Sequence, residues 1–475
     1  MSLNMVKKAL LLCFLALSVQ QLQAQQFGMF NTKTLFDSFE NPAQKSFTLD
    51  SSRKFASNFF LPYFGINGAN EGNPEFIRRV INEDVYNTSN LPLGTGQINT
   101  LYQNSNVYLL TLKIFQSYKH QQELGFAWQL RTDGNVKYTN ETLAILDSYT
   151  RFLADGSEYD DAFNTKGYAQ SYHQFSMTYR ENYNKRLSFG AKISLLSGTS
   201  YNRLKITDSY LQVSSQLNQL NARLSGVYKG SFLNTDELST KTFMPTFKNP
   251  GLSFGFGTSY TSKSGLFLMA NIKDLGFIRW SKSSYINNFG GTVTINDLAG
   301  TPSSVVEDRI TDLATDDAIN KGFFSPTNAK IDVMASRTFG FYSPSLIVSK
   351  NLFYRGGDIA FVNKFRYEGF SLSATPTYNL NNFFMIGTQG MYQTPNFEVF
   401  LGSDDLFKTS SQLNGFLKND ATIGKGYNGA SVYLGVGIKF GNTVEHPQNS
   451  SYMPGLEPER PGFFRRIFSV FSKKR

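Results

Sequence analysis

The chain has 475 residues, 40% hydrophobic, 15% aromatic and 17% charged, with 44 Phe, 25 Tyr, 39 Gly, three His and one Cys. That much aromatic surface excludes an unpacked chain, and the lack of any apolar run of about 20 residues after the first 30 positions excludes spanning helices. The net charge of +10 is uneven: Lys7 and Lys8 stand in the leader and six basic residues in the last 16, leaving 38 basic against 36 acidic between them, so a nucleic-acid-binding body is excluded too.

Val6-Lys7-Lys8, the apolar run Ala9 to Val19 and the small residue Ala24 read as a secretory signal peptide over 1–24. Cys13 lies inside it behind Leu11-Leu12, which does not suit a lipid anchor. Beyond Ala24 there is no cysteine, so disulfides and thiolate metal sites are unavailable and no cofactor or metal is expected. Residues 25–54 then form a periplasmic or hatch segment ahead of the first strand.

From there period-two alternation dominates. Phe175, Met177 and Tyr179 oppose Gln174, Ser176 and Thr178; Leu187, Phe189, Ala191 and Ile193 oppose Ser188, Gly190 and Lys192; Phe254 and Phe256 oppose Ser253, Gly255 and Gly257; Phe370 and Leu372 oppose Ser371 and Ser373. The segments have the length of tilted spanning strands, aromatics stand at their ends, and the second face is small and polar. Strands are expected near 55–64, 106–117, 123–131, 171–180, 186–196, 251–261, 266–278, 329–339, 346–354, 359–367, 370–378, 383–392, 396–402 and 430–440. The fold class is therefore all-β: a transmembrane antiparallel β-barrel over 55–440 with about 14 strands (12–16), an even number as bacterial barrels have. The short connections, such as 118–122, 181–185 and 262–265, fall on one side, expected to be periplasmic. The long ones, 65–105, 132–170, 197–250, 279–328 and 403–429, fall on the other. Two of those long loops carry amphipathic helical stretches, 73–85 and 310–321.

In the last strand, Tyr433, Gly435, Ile438 and Phe440 resemble the C-terminal signal read by barrel-assembly machinery. A tail over 441–475 follows. After Pro447, Pro454, Pro458 and Pro461, the run Phe463, Phe464, Arg465, Arg466, Ile467 and Phe468 reads as a basic amphipathic helix at the periplasmic leaflet of outer-membrane lipid.

Catalytic groups are scarce. His120 falls in a short turn and His446 in the tail, while His173 shares the phase of Phe175 and Met177 and is expected to face lipid. No zinc spacing occurs. The pairs Asp160-Asp161, Asp316-Asp317 and Asp404-Asp405 read as solvated loop charge. An enzyme is not expected.

Asn41-Pro42-Ala43, about 17 residues past Ala24, resembles the N-terminal motif of the FadL-type outer-membrane transporters, with Gln44 where a glycine usually follows. The segments Asp274 to Trp280 and Gly402 to Phe407 resemble an uncharacterised group of Bacteroidetes outer-membrane barrels. The resemblance implies a Gram-negative outer membrane, a hatch in the lumen and a conduit for hydrophobic or amphipathic small molecules. The alternative it implies is a non-enzymatic secretion-system partner that docks other proteins at the outer membrane.

Overall fold

A computed structural model describes residues 29–47, 53–72, 91–117, 121–147, 149–152, 158–214, 216–233, 244–315, 317–418, 428–443 and 462–472. The expected signal peptide, His120, His446, Asp316, the stretch 73–85 and the proline-containing linker lie outside them.

Sixteen long antiparallel strands close into one barrel. They are β1 (53–71, interrupted at 58–62), β2 (Ile98–Ser117), β3 (Gln122–Thr139), β4 (Lys166–Asn182), β5 (Leu187–Ser214), β6 (Gln219–Gly230), β7 (Pro250–Thr261) and β8 (Leu266–Trp280). The circuit continues through β9 (Tyr285–Asn296), β10 (319–337, interrupted twice), β11 (Tyr342–Asn351), β12 (Gly357–Tyr367), β13 (Phe370–Asn379), β14 (Phe383–Gln393), β15 (Phe397–Ser403) and β16 (Gly429–Thr443). Closure comes from β1, whose Phe55 pairs with Phe440 of β16 on one side and Ile114 of β2 on the other.

Sixteen corrects the expectation of about 14. The unforeseen strands, β6 and β9, fall in stretches expected to be external loops. The first half of β5 pairs with β7 (Leu187↔Tyr260), and its second half pairs with β6 (Ser214↔Gln219). Strand β6 in turn pairs with β9 along its whole length. Leu220 and Ala222 of β6 and Ile295 of β9 are buried against Leu298 and Val306 in a separate apolar cluster. Their alternation therefore serves a local core and not the outward band, which is why the barrel pattern did not mark them.

The helix expected over 310–321 is also displaced. Helix α3 spans Ser303–Thr315, while Ile319–Asn320 already belongs to a strand. Pro302 sets its start, accepting from the amides of Val305 and Val306 at 2.9 and 3.2 Å. The other helices are α1 (Asp37–Glu40), α2 (Asn140–Asp147), α4 (Leu406–Lys418) and α5 (Phe463–Ser472).

The two faces of the wall sort as the alternation requires. In β13, Phe370 and Leu372 are over 60% exposed while Ser373, Thr375 and Thr377 are buried. A soluble sandwich would reverse this, so the exposed band is the surface that lipid covers. Strand β8 departs from strict alternation at a bulge between Ile272 and Leu275. Asp274 takes φ 51°, a left-handed conformation that Asp tolerates better than most residues. The extra residue turns both Lys273 and Asp274 inward, where each is buried.

Candidate functional site: the lumen and its N-terminal hatch

Residues 29–47 fold inside the barrel. Met29, Leu35, Phe36, Phe39 and Phe47 are buried in one cluster with Tyr63, Tyr108, Phe400 and Tyr433 of the wall. The Phe36 ring lies 5.1 Å from that of Tyr63, 5.3 Å from that of Tyr108 and 6.0 Å from that of Phe400. These contacts give the hatch an apolar anchor, and Phe30 makes a second with Met269, Met334, Ile347 and Val362.

A charge network holds the other side of the hatch. Arg131 Nη2 donates to both carboxylate oxygens of Glu40 at 2.9 Å, and Asn106 Nδ2 donates to Oε1 at 2.6 Å. The Tyr108 hydroxyl also donates to Glu40, and the Lys273 ammonium pairs with it. Arg131 reaches on to Asp274, which Lys192 Nζ meets at 2.8 Å and Gln174 Nε2 at 2.7 Å. Lys192 also donates to the Phe39 carbonyl at 2.6 Å. Burial alone would raise the Glu40 carboxyl, but the charges of Arg131, Lys273 and Lys192 outweigh it and hold Glu40 well below the usual carboxylate range. The alternation puts Lys192 on the polar face of its strand but does not pair it with a residue of the hatch.

Further contacts pin the hatch at its ends. The Leu35 amide donates to Glu398 at 2.6 Å, and the Ser46 amide donates to Glu123 at 3.3 Å. Asp37 accepts from Thr32 and Lys33 amides and from the Thr32 and Thr34 hydroxyls, closing the hatch on itself. Gln44 does likewise: its Nε2 donates to Met29 O and Asp37 O at 3.1 and 2.9 Å, and its Oε1 accepts from the Asn31 amide. That is how a glutamine is accommodated where the related motif has glycine.

Asn41, Pro42 and Ala43 rest against β5 and β7. Gly190 and Gly257 are paired across these strands. A Cβ on Gly190 would stand 2.1 Å from Pro42 O, and one on Gly257 would stand 2.1 Å from Asn41 Oδ1. Only glycine leaves room for the hatch, a backbone carbonyl at Gly190 and a side-chain carbonyl at Gly257, to lie so close to the strand. Arg180 Nε donates to Ala43 O at 2.9 Å from the neighbouring β4.

Tyr433 and Gly435 face inward, with Tyr433 in the hatch cluster, while Ile438 and Phe440 lie on the opposite face of β16. Phe440 packs on Phe55 and Phe59 of the first strand. Phe463, Phe464, Arg465, Arg466, Ile467 and Phe468 lie in α5, which docks on the outer wall. Phe464 packs on Tyr179, Phe189 and Phe256, and Phe468 on Tyr183 and Phe189. His173 keeps its outward phase yet is buried, accepting from Trp128 Nε1 at 3.2 Å. Asp405, expected as solvated charge, is buried: it accepts from the Lys408 amide at 3.2 Å and caps α4. Asp404 is buried beside it.

Residues 45–404 match a protein family whose description gives no function. The chain belongs to that family, DUF5723. No curated protein matches it. Among solved structures, it is similar to a deletion mutant of the monoaromatic hydrocarbon channel TodX, with 8% identity, 82% of this chain and 91% of that one covered, and a TM-score of 0.39. The Ralstonia pickettii toluene transporter TbuX (9% identity, 83% and 90% covered, TM-score 0.38) and a Pseudomonas aeruginosa FadL homologue (10%, 83% and 91%, 0.38) are similar to the same degree. The functional features of this DUF5723 chain rest on its own geometry: a closed barrel, a polar lumen and a hatch held by an aromatic anchor and a buried charge network.

Proposed function

We propose that this outer-membrane barrel is a conduit for hydrophobic or amphipathic small molecules, with residues 29–47 as its movable plug. One observation carries the reading. The hatch is tied to the wall through wall side chains such as Arg131, Lys192, Lys273 and Glu398, and Phe36 and Phe39 occupy an aromatic recess that would otherwise offer apolar surface to the lumen. Displacing the hatch exposes that recess to a ligand without breaking the barrel, so passage requires desolvation and plug movement and no chemistry. The test has two parts. Mass spectrometry after mild purification is expected to find an acyl-chain-sized ligand. Cells carrying the protein are expected to take up a hydrophobic naphthylamine probe faster than cells without it. A purified barrel that is ligand-free and conducts ions steadily would overturn the reading.

A docking role is favoured by a separate observation: the outer half of β5 with β6, β9 and α3 builds a second apolar core. Such a platform suits a protein partner. A stoichiometric companion captured from native membranes would support this role, and its loss on trimming 203–230 would locate the contact.

A further inference from the structure

We propose that the mouth of the lumen beside the short turns is a binding site for small organic polyanions. A cavity of about 450 Å³ opens there between the hatch and the strand ends. Lys33 and Lys45 line it from the hatch, Lys185 and Arg186 from the β4–β5 turn, and Lys364 and Arg366 from β12. Asp37 is the one carboxylate on the lining, and its oxygens already accept four hydrogen bonds from Thr32, Lys33 and Thr34.

None of those six cations forms an ion pair with a carboxylate among the described residues. The polar contacts of Lys364 and Arg366 go to the Asn31 and Glu368 carbonyls, at 3.5 and 3.2 Å, so Asp37, whose charge acts on Lys33 and Lys364, is the one negative group set against the six cations on the lining. Deeper in the lumen the pattern is the opposite, since Arg131, Lys192 and Lys273 share Glu40 and Asp274. Seventh on the lining, Arg180 spends its donors on Ala43, Gln121, Asn182 and Ser188. Like charges gathered in a concave, partly desolvated mouth raise the local potential and concentrate anions there.

The class of ligand follows from charge and wall. A monoanion would leave most of the excess uncompensated, so two or more negative charges are required. Phe30, Phe267 and Val362 also line the cavity, which suits a carbon body more than a free inorganic ion, and the volume lies in the small-molecule range. The site stands whether or not hydrophobic cargo passes the hatch.

Calorimetric titration of the detergent-solubilised full chain tests this, with citrate, pyrophosphate and acetate as probes. Citrate is expected to bind at least roughly tenfold more tightly than acetate and to weaken steeply with added salt. K364Q/R366Q is expected to abolish the difference. Lys185 and Arg186 are exposed on the turn, so K185Q/R186Q preserves the fold and is expected to weaken citrate severalfold. Citrate no tighter than acetate, citrate binding unchanged in K185Q/R186Q, or pyrophosphate binding without citrate binding would each overturn the assignment.

Discussion

Phe189 and Gly190 are neighbours in β5 and touch opposite ends of the chain: the Phe189 ring packs on Phe464 and Phe468 of the C-terminal helix, while Gly190 carries the Pro42 carbonyl of the hatch. The arrangement recurs on both sides. Tyr179 meets Phe464 while Arg180 bonds Ala43, and Phe256 meets Phe464 while Gly257 sits under Asn41. One thickness of sheet is thus gripped from outside and inside at a single patch. Freed of its outer partner, this patch gains rotamer and backbone freedom, and the hatch seat loosens with it. Cys13 is the sole cysteine and lies in the expected leader, so S38C gives a near-isosteric reporter buried in the hatch. F464A/F468A is expected to speed thiol labelling of S38C severalfold, with barrel folding on gels unchanged.

The seat itself gives a sharper outcome. A methyl at Gly190 has no room, because Pro42 O occupies its place and backbone cannot rotate away. G190A is expected to cost about 1–3 kcal/mol, the range for an overpacked interior. The strain falls on hatch docking, since the β5–β7 ladder is unaffected by a small side chain. Proteolysis in the hatch should rise while the heat-induced gel shift of the barrel stays put; a lowered gel-shift temperature would place the strain in the wall instead.

Glu40 makes the hatch acid-sensitive with a definite sign. Its carboxyl is held low in the docked hatch, despite burial, by Arg131, Lys273 and Lys192. A group depressed in the docked state contributes stability above its free value near 4.5, and that stability is lost as pH falls further. S38C labelling, divided at each pH by the rate of a free thiol, should therefore rise as pH falls below about 5. E40Q removes the dependence and leaves Arg131 and Lys273 short of a counter-charge; breaking a buried pair in this way costs about 3–5 kcal/mol.

How far the sequence carried depends on what each residue touches. Phe254, Phe256, Phe370 and Leu372 were readable because a lipid-facing side chain needs only its phase, and phase is local. Arg131 and Glu40 were not, because the pair joins residues 91 positions apart through a closure that alternation does not encode. Lys273-Asp274 hid for a different reason: the bulge places two consecutive charges on one face, which breaks the period-two rule that found the strand. Strands β6 and β9 hid because their apolar side packs on α3 and not on lipid.

Asn58 makes the last prediction. Strand β1 leaves its ladder between Ser57 and Tyr63, and Phe59 and Phe60 adopt φ of 47° and 60° with their rings at least half exposed on the outer wall. The buried Asn58 side chain replaces the missing ladder: Oδ1 accepts from the Thr111 amide at 2.8 Å, and Nδ2 donates to Leu61 O at 2.9 Å and to Tyr108 O and Leu109 O at 3.3 Å. N58A leaves the Thr111 N–H unpaired in the wall, at a cost of about 1–3 kcal/mol. N58D keeps the acceptor but has no donor for the carbonyls, so it should recover only part of the loss. Hydrogen exchange at 108–112 is expected to quicken in N58A, less in N58D, and not at all in the paired half of β2 at 98–104. Uniform quickening along β2 would mean that Asn58 supports the whole strand and not this break alone.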